Sequence, residues 1–159
     1  MSIAAFQALV REFGAKLGAA DVKADDEGYV ALSFDDHPVH LQYDAEEDEI
    51  VVFTRLGNVD DDRREEICVT LLGANLFWQG TKGATFSVEP ATGVVFLADR
   101  RGRAATGIDA LNNWLERFLD VAAYWRGRLD LANTGGSLDG DADADAPPVP
   151  VRPDGFIRG

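Results

Sequence analysis

The chain has 159 residues, of which 46% are hydrophobic, and it has one cysteine. Acidic residues outnumber basic ones 28 to 15, which gives a formal net charge of −13 at pH 7. A surface of this charge repels phosphate backbones and anionic lipids, so nucleic acid and membranes are not expected partners. A single cysteine excludes an internal disulfide, and no apolar run approaches the length of a membrane span. We therefore expect a cytoplasmic protein.

The first third of the chain predicts one helix and three strands. Six apolar residues at helical spacing follow Ser2, a suitable cap, and predict an amphipathic helix: Ile3, Phe6, Leu9, Val10, Phe13 and Leu17. Two alternating stretches then predict a hairpin: Val30, Leu32 and Phe34, followed by Val39, Leu41 and Tyr43. A third strand, residues 50–56, is apolar on both faces, which predicts that both faces are covered. We expect these strands to be antiparallel.

Helix, hairpin and helix are predicted to follow. Asp60, Asp61 and Asp62 favour the start of a helix that runs to about Ala74. The next hairpin pairs Phe86 and Val88 with Val94 and Phe96, and residues 99–103 are expected to form a basic loop after it. The last helix has the clearest periodicity of the chain, with apolar residues spaced alternately by three and four: Ile108, Leu111, Leu115, Phe118, Ala122, Trp125 and Leu129. Its aromatic stripe, which includes Trp114, is expected to lie in the core.

The C-terminal segment differs in composition from the rest. Residues 132–159 are rich in Gly, Asp, Ala and Pro and have few apolar side chains, so they predict a mostly disordered acidic tail. Near its end, Phe156 and Ile157 could contact an apolar groove or a sheet edge. We therefore divide the chain into an α+β domain, residues 1–131, and this tail.

No arrangement of residues indicates catalysis. His37 and His40 lie beside acidic residues, but a strand would direct His40 away from the apolar face and leave His37 in a turn, so surface roles are favoured over a metal site. Cys68 lies inside a helix and is expected to be buried. Neither a nucleophile elbow nor a phosphate-binding loop is present. We expect no enzyme activity, no cofactor and no metal.

The segment LLGANLFWQG, residues 71–80, and the segment GATFSVEPATGVVFL, residues 83–97, resemble the Tir-chaperone (CesT-type) family of class I type III secretion chaperones. The predicted order α-β-β-β-α-β-β-α is similar to the fold of that family, an antiparallel sheet flanked by helices. The resemblance implies a bacterial cytoplasmic homodimer that binds the extended N-terminal segment of a secreted effector and keeps it soluble and secretion-competent without ATP hydrolysis. The secretion ATPase is a possible further partner.

The resemblance also implies two sets of binding residues. The dimer interface would consist of residues in the second helix and the hairpin after it: Leu71, Leu72, Leu76, Phe77, Trp78 and Phe86. Effector-binding residues would come from the first helix and the first strands: Phe6, Val10, Phe13, Val30, Leu32, Phe34, Leu41 and Phe53. A helix of this size has only one apolar stripe, so some of these side chains must be core.

Two other classes of function fit the same order of elements. The first is a dimeric regulatory or sensory domain unrelated to secretion, which would bind a folded partner. The second is a hydrolase or metal-dependent enzyme centred on His37 and His40, which the histidine placement disfavours.

Overall fold

The structure, a computed structural model, describes residues 1–19, 21–34, 37–102 and 107–136. Its main elements are, in chain order, α1 (Ile3–Lys16), β1 (Tyr29–Phe34), β2 (His37–Asp44), β3 (Glu49–Asn58), α2 (Arg64–Asn75), β4 (Thr85–Val88), β5 (Val94–Gly102) and α3 (Ile108–Asn133). Short 3₁₀ turns, Asp61–Arg63 and Leu76–Trp78, precede and follow α2. The predicted α-β-β-β-α-β-β-α order is confirmed. Most of the acidic tail, residues 137–159, lies outside the described residues.

All five strands form one antiparallel sheet in the order β1-β2-β3-β5-β4. The hairpin of β4 and β5 joins the first three strands because β5 pairs with β3 along its whole length, from Glu49 opposite Gly102 to Asn58 opposite Val94. The prediction of a basic loop after β5 is therefore wrong for residues 99–102, which continue the strand. Their charges are accommodated there, since Arg100 pairs with Glu49 at 3.3 Å and Arg101 lies over the Trp114 ring.

The core lies on one face of the sheet, under α1 and α3. Phe6 of α1 stacks on Tyr43 of β2 with ring centroids 5.8 Å apart. Trp114 of α3 donates from Nε1 to Asp99 at 2.6 Å, and Trp125 meets Phe86 edge-on at 5.0 Å. The aromatic stripe of α3 is buried, as predicted, because it covers the alternating apolar residues of β3 and β5.

The other face of the sheet is open. Its side chains on β3, Val51 and Phe53, are half-buried, as are Phe96 and Ala98 on β5. The expectation that both faces of β3 are covered is therefore wrong for the described part of a single chain. The apolar residues on this face remain half-accessible, and this face becomes a candidate contact surface.

Candidate partner-binding surfaces

Five of the eight large apolar side chains that are exposed among the described residues lie on α2 and the turn after it. Five side chains form this cluster, called the α2 patch: Val69 (63% exposed), Leu72 (66%), Leu76 (58%), Phe77 (75%) and Trp78 (57%). Val69 and Leu72 lie three residues apart on one side of α2, and Leu76 begins the turn that follows the helix. Monomeric soluble proteins rarely expose so large an apolar cluster, and the α2 patch is typical of an interface.

Backbone conformation directs the aromatic end of the α2 patch outward. Phe77 and Trp78 both have positive φ, 51° and 55°, which is uncommon for bulky residues and costs about 1–2 kcal/mol each. The two left-handed residues reverse the chain, so that the N–H of Gly80 donates to the carbonyl of Ala74. Strain of this kind often marks functional positions. Here its structural effect is to place two large aromatic side chains in solvent.

The remaining two residues of the predicted dimer set face inward. Leu71 is 4% exposed and Phe86 is 6% exposed, so both belong to the core of this chain. Next to them, the side-chain amide of Asn75 closes the outer edge of β4. It accepts from the Phe86 N–H at 2.8 Å and donates to the Phe86 carbonyl at 3.1 Å. This residue, which the sequence did not single out, ties α2 to the sheet and occupies one of its two edges.

Among the described residues, the opposite edge of the sheet, β1, is closed only at its start. Asp25 accepts from the Tyr29 N–H through its carboxylate and donates its own N–H to the Tyr29 carbonyl, both at 2.8 Å. Backbone groups alternate in direction along a strand, so those of Ala31 and Ser33 also point away from β2. Within the described residues these outward groups make no hydrogen bond. We call Ala31 and Ser33 the β1 edge.

A groove of about 750 Å³ runs beside the β1 edge. Its outer wall is formed by residues 18–19 and 21–25, between α1 and β1, and its inner wall by residues 29–31. Val22 of the connector rests on Gly14, where a side chain would come within 2.7 Å of it. Asp25 fixes the other end of the connector, because Gln7 of α1 donates to its carbonyl at 2.8 Å. Among the described residues, the groove therefore lies between a connector anchored at Val22 and Asp25 and the unpaired β1 edge.

Three stacked rings cross the open sheet face from β1 to β3. His40 lies between Tyr29, with ring centroids 5.9 Å apart, and Phe53, at 4.8 Å. The Tyr29 hydroxyl and the His40 Nδ1 are hydrogen-bonded at 2.7 Å. We call these residues the aromatic row. Because neighbouring rings face one another, the row presents ring edges to solvent. The sequence did not indicate this role for Tyr29 and His40, since its only signal was their alternation with the buried residues of the hairpin.

The predicted effector-binding residues are divided by the structure. Six of them are at most 7% exposed and belong to the core of this chain: Phe6, Val10, Phe13, Val30, Leu32 and Leu41. Phe34 is half-buried on the helix-covered side, and Phe53 is half-buried in the aromatic row. Effector contact therefore stays a prediction, and without movement of α1 only Phe34 and Phe53 are accessible to it.

The described residues hold no group of three or more side chains suited to a metal ion. His40 is engaged in the aromatic row, and Cys68, expected to be buried, is half-buried on α2. Lys16 donates to Asp109 at 2.8 Å, and this hydrogen bond and charge lower the pKa of Asp109. Within the described part of the chain, no helix is long and apolar enough to span a bilayer.

Comparison with known proteins gives matches of both sequence and fold. The model of the Tir chaperone protein (CesT) family matches residues 8–126. A chain of the ExsC-ExsE complex has a TM-score of 0.69 and 23% identity, with 80% of this chain and 95% of that one covered. A chain of the HopA1-SchA chaperone-effector complex has a TM-score of 0.65 and 17% identity, with 80% of this chain and 97% of that one covered.

A third similar structure is that of the Yersinia pestis type III secretion chaperone SycH in complex with a fragment of YscM2. Its TM-score is 0.58 at 22% identity, and the match covers 75% of this chain and 98% of that one. No curated protein sequence matches the chain. The structural matches show a shared fold: a five-stranded antiparallel sheet with flanking helices. The family model covers well over half of the chain, which confirms the resemblance seen in the sequence: this protein belongs to the Tir chaperone protein (CesT) family.

Proposed function

We propose that this protein is a type III secretion chaperone, which binds the extended N-terminal segment of an effector in the bacterial cytoplasm and keeps it soluble and competent for secretion. The observation that carries the proposal is the family match over residues 8–126. The similar folds in the ExsC-ExsE complex and the HopA1-SchA chaperone-effector complex support it.

The β1 edge supplies main-chain recognition of the effector. An extended segment laid along β1 would pair with the outward N–H and C=O groups of Ala31 and Ser33, which gives up to four hydrogen bonds independent of effector sequence. The pairing would stop at Tyr29, whose outward groups are held by Asp25. The other edge is occupied by Asn75. Strand addition is therefore directed to β1, over a short stretch beside the groove.

The aromatic row supplies apolar recognition. Phe53 is half-buried at the β3 end of the row, and Ala98 of the next strand lies opposite it. Apolar side chains of the effector that cover these rings would gain roughly 25 cal/mol per Å² of area removed from water. Because this gain is not directional, the surface would accept different apolar side chains. The net charge of −13 would favour encounters with basic segments.

The α2 patch supports a homodimer. Its five side chains are all more than half exposed, and their burial against the same patch of a second copy would give a closed, symmetric pair. A homodimer would hold two β1 edges in fixed relation, so one effector segment could engage both. Within this proposal the protein acts by binding its effector, without catalysis and without ATP hydrolysis.

Deletion of the gene in the native host tests this function. We expect the amount of one or a few secreted proteins to fall, both inside the cell and in the type III secreted fraction, and the other secreted proteins to stay unchanged. Quantitative mass spectrometry of both fractions measures this, and the wild-type gene supplied in trans should restore it. An unchanged secreted fraction would contradict the proposal.

A further inference from the structure

The described part of the chain ends beside the start of α2. After α3, Gly135 has a φ of 87° and reverses the direction of the chain. Arg63, in the turn before α2, donates from Nη1 to the Gly136 carbonyl at 2.8 Å. The same guanidinium pairs with Glu66 of α2 at 2.6 Å. The part of the chain that follows Gly136 therefore starts from a point that is held against α2.

A groove leads from this point along α2. Its volume is about 550 Å³, and it is lined by Asp62, Arg63, Glu65, Glu66, Val69 and Thr70. The three acidic side chains of the lining are exposed. At the other end of the groove Val69 is 63% exposed, and Leu72, three residues further along α2, is 66% exposed. The groove thus joins an acidic surface to the helical part of the α2 patch.

The complementary residues are found in the sequence RPDGFIR, residues 152–158, which lies outside the described part of the chain. It holds two arginines and one aspartate, whereas residues 137–151 hold four acidic residues and no basic one. Phe156 and Ile157 are the only two adjacent large apolar residues after Gly136. A cationic segment with an apolar pair is complementary to a groove with acidic walls and an apolar end.

The chain between Gly136 and this segment is long enough to reach the groove. Residues 137–151 can span up to about 50 Å when extended. The distance along α2 from Arg63 to Leu72 is only about 14 Å, at the rise of a helix. Because the segment is tethered, its effective concentration at the groove is of millimolar order, so a contact that would be weak between separate molecules can be well populated.

We propose that residues 152–158 bind to this groove of their own chain. The apolar pair of the segment would lie on Val69 and Leu72, and its arginines would lie beside Glu65. The segment would thereby cover the helical part of the α2 patch in a single chain, and a second copy would have to displace it. It would therefore raise the concentration at which two copies pair. The effect on pairing rests on the proposed homodimer; the contact within one chain does not.

Photocrosslinking of the full chain tests the contact directly. Phe156 is replaced by benzoylphenylalanine, which keeps an aromatic side chain, and the protein is irradiated at nanomolar concentration. Mass spectrometry then maps the products. We expect crosslinks within one chain to residues 69–76, and none there when the same probe replaces Ala144, which lies among aspartates. Crosslinks to residues 29–33 instead, products that join two chains, or no crosslink to α2 would each overturn the proposal.

An exchange of charges tests the groove independently of the apolar probe. Glu65→Lys should lower the yield of the crosslink to α2 about threefold, since an exposed ion pair is replaced by repulsion, and addition of Arg152→Glu should restore it. Glu46→Lys is the matched control, because it makes the same change of charge at an exposed glutamate in the turn after β2. Equal yields in Glu65→Lys and Glu46→Lys would overturn the placement in this groove.

Sedimentation velocity tests the effect on pairing. Phe156→Ser combined with Ile157→Ser should lower the dimer dissociation constant about tenfold, because both patches are then free to pair. Leu138→Ser, which removes an apolar side chain outside the segment, should leave the constant unchanged. Equal constants in the wild type and the double variant would overturn the competition. The crosslink needs neither a dimer nor an effector, so its failure leaves the proposed chaperone function standing, and failure of effector binding leaves the crosslink intact.

Discussion

Substitution of Phe77 by Asn separates dimer formation from the stability of the single chain. Phe77 is 75% exposed and has φ of 51°. Asn adopts this left-handed conformation more readily than Phe, so the variant removes the apolar side chain without adding backbone strain. A polar side chain at the centre of the α2 patch would no longer favour burial against a second copy.

The expected magnitude follows from the exposed area. Full burial of a Phe side chain contributes about 1.5–3 kcal/mol, and three-quarters of that is roughly 1–2 kcal/mol per protomer. A symmetric dimer contains the residue twice, so Phe77→Asn should weaken it by about 3 kcal/mol. The dimer dissociation constant would then rise about a hundredfold. The free energy of unfolding of the monomer should not fall, and it should rise by up to about 1 kcal/mol because Asn relieves part of the backbone strain at position 77.

Sedimentation velocity over a range of concentrations measures the dissociation constant, and urea unfolding of the dilute protein measures monomer stability. Leu17→Asn is the matched control, since Leu17 is 46% exposed at the end of α1, outside the α2 patch. An unchanged dimer in Phe77→Asn, or a dimer weakened equally in the control, would refute the assignment of the α2 patch. So would a wild-type chain that stays monomeric at all concentrations tested.

Three further predictions address other parts of the structure. Asn75→Asp removes the donor to the Phe86 carbonyl and sets a carboxylate against it, so urea unfolding should show a loss of about 1–3 kcal/mol. Lys16→Met should raise the lowered pKa of Asp109 towards its ordinary value, measured from the carboxyl carbon resonance of Asp109. The stabilisation that this ion pair gives the fold is complete above the ordinary pKa of aspartate and is lost as pH falls through the lowered pKa. Ser33→Pro removes an outward N–H of the β1 edge and should weaken effector binding at least tenfold in calorimetry, with Ser33→Ala near wild type; equal affinities would exclude strand addition there.

The sequence was sufficient where one periodicity determined the outcome. The alternating three- and four-residue spacing of α3 placed Leu111 and Phe118 in the core because only one side of a helix meets the sheet. The length of β5 could not be predicted from periodicity alone. Arg100 and Arg101 suggested a loop, yet they extend β5 because Glu49 and the Trp114 ring accommodate their charges. Such contacts depend on pairing between distant segments, which local pattern does not reveal.

The candidate surfaces were only partly predictable for a related reason. An apolar residue in a pattern indicates burial, but not whether its own chain or a partner covers it. Leu72 and Trp78 are exposed, so their place in a dimer interface stays a prediction, whereas Phe6 and Val10 belong to the core of this chain. The left-handed backbone at Phe77 and Trp78 and the closure of an edge by Asn75 depend on how the chain turns in space. No spacing rule signals them.

The central claim is that this protein holds an effector segment in extended form. Affinity isolation of the tagged full chain from its native host, followed by limited proteolysis and mass spectrometry, measures this most directly. We expect two copies of the chain with one protected, N-terminal, non-globular stretch of a secreted protein. Recovery of a folded partner instead, or of a monomer that protects no segment of any secreted protein, would contradict it.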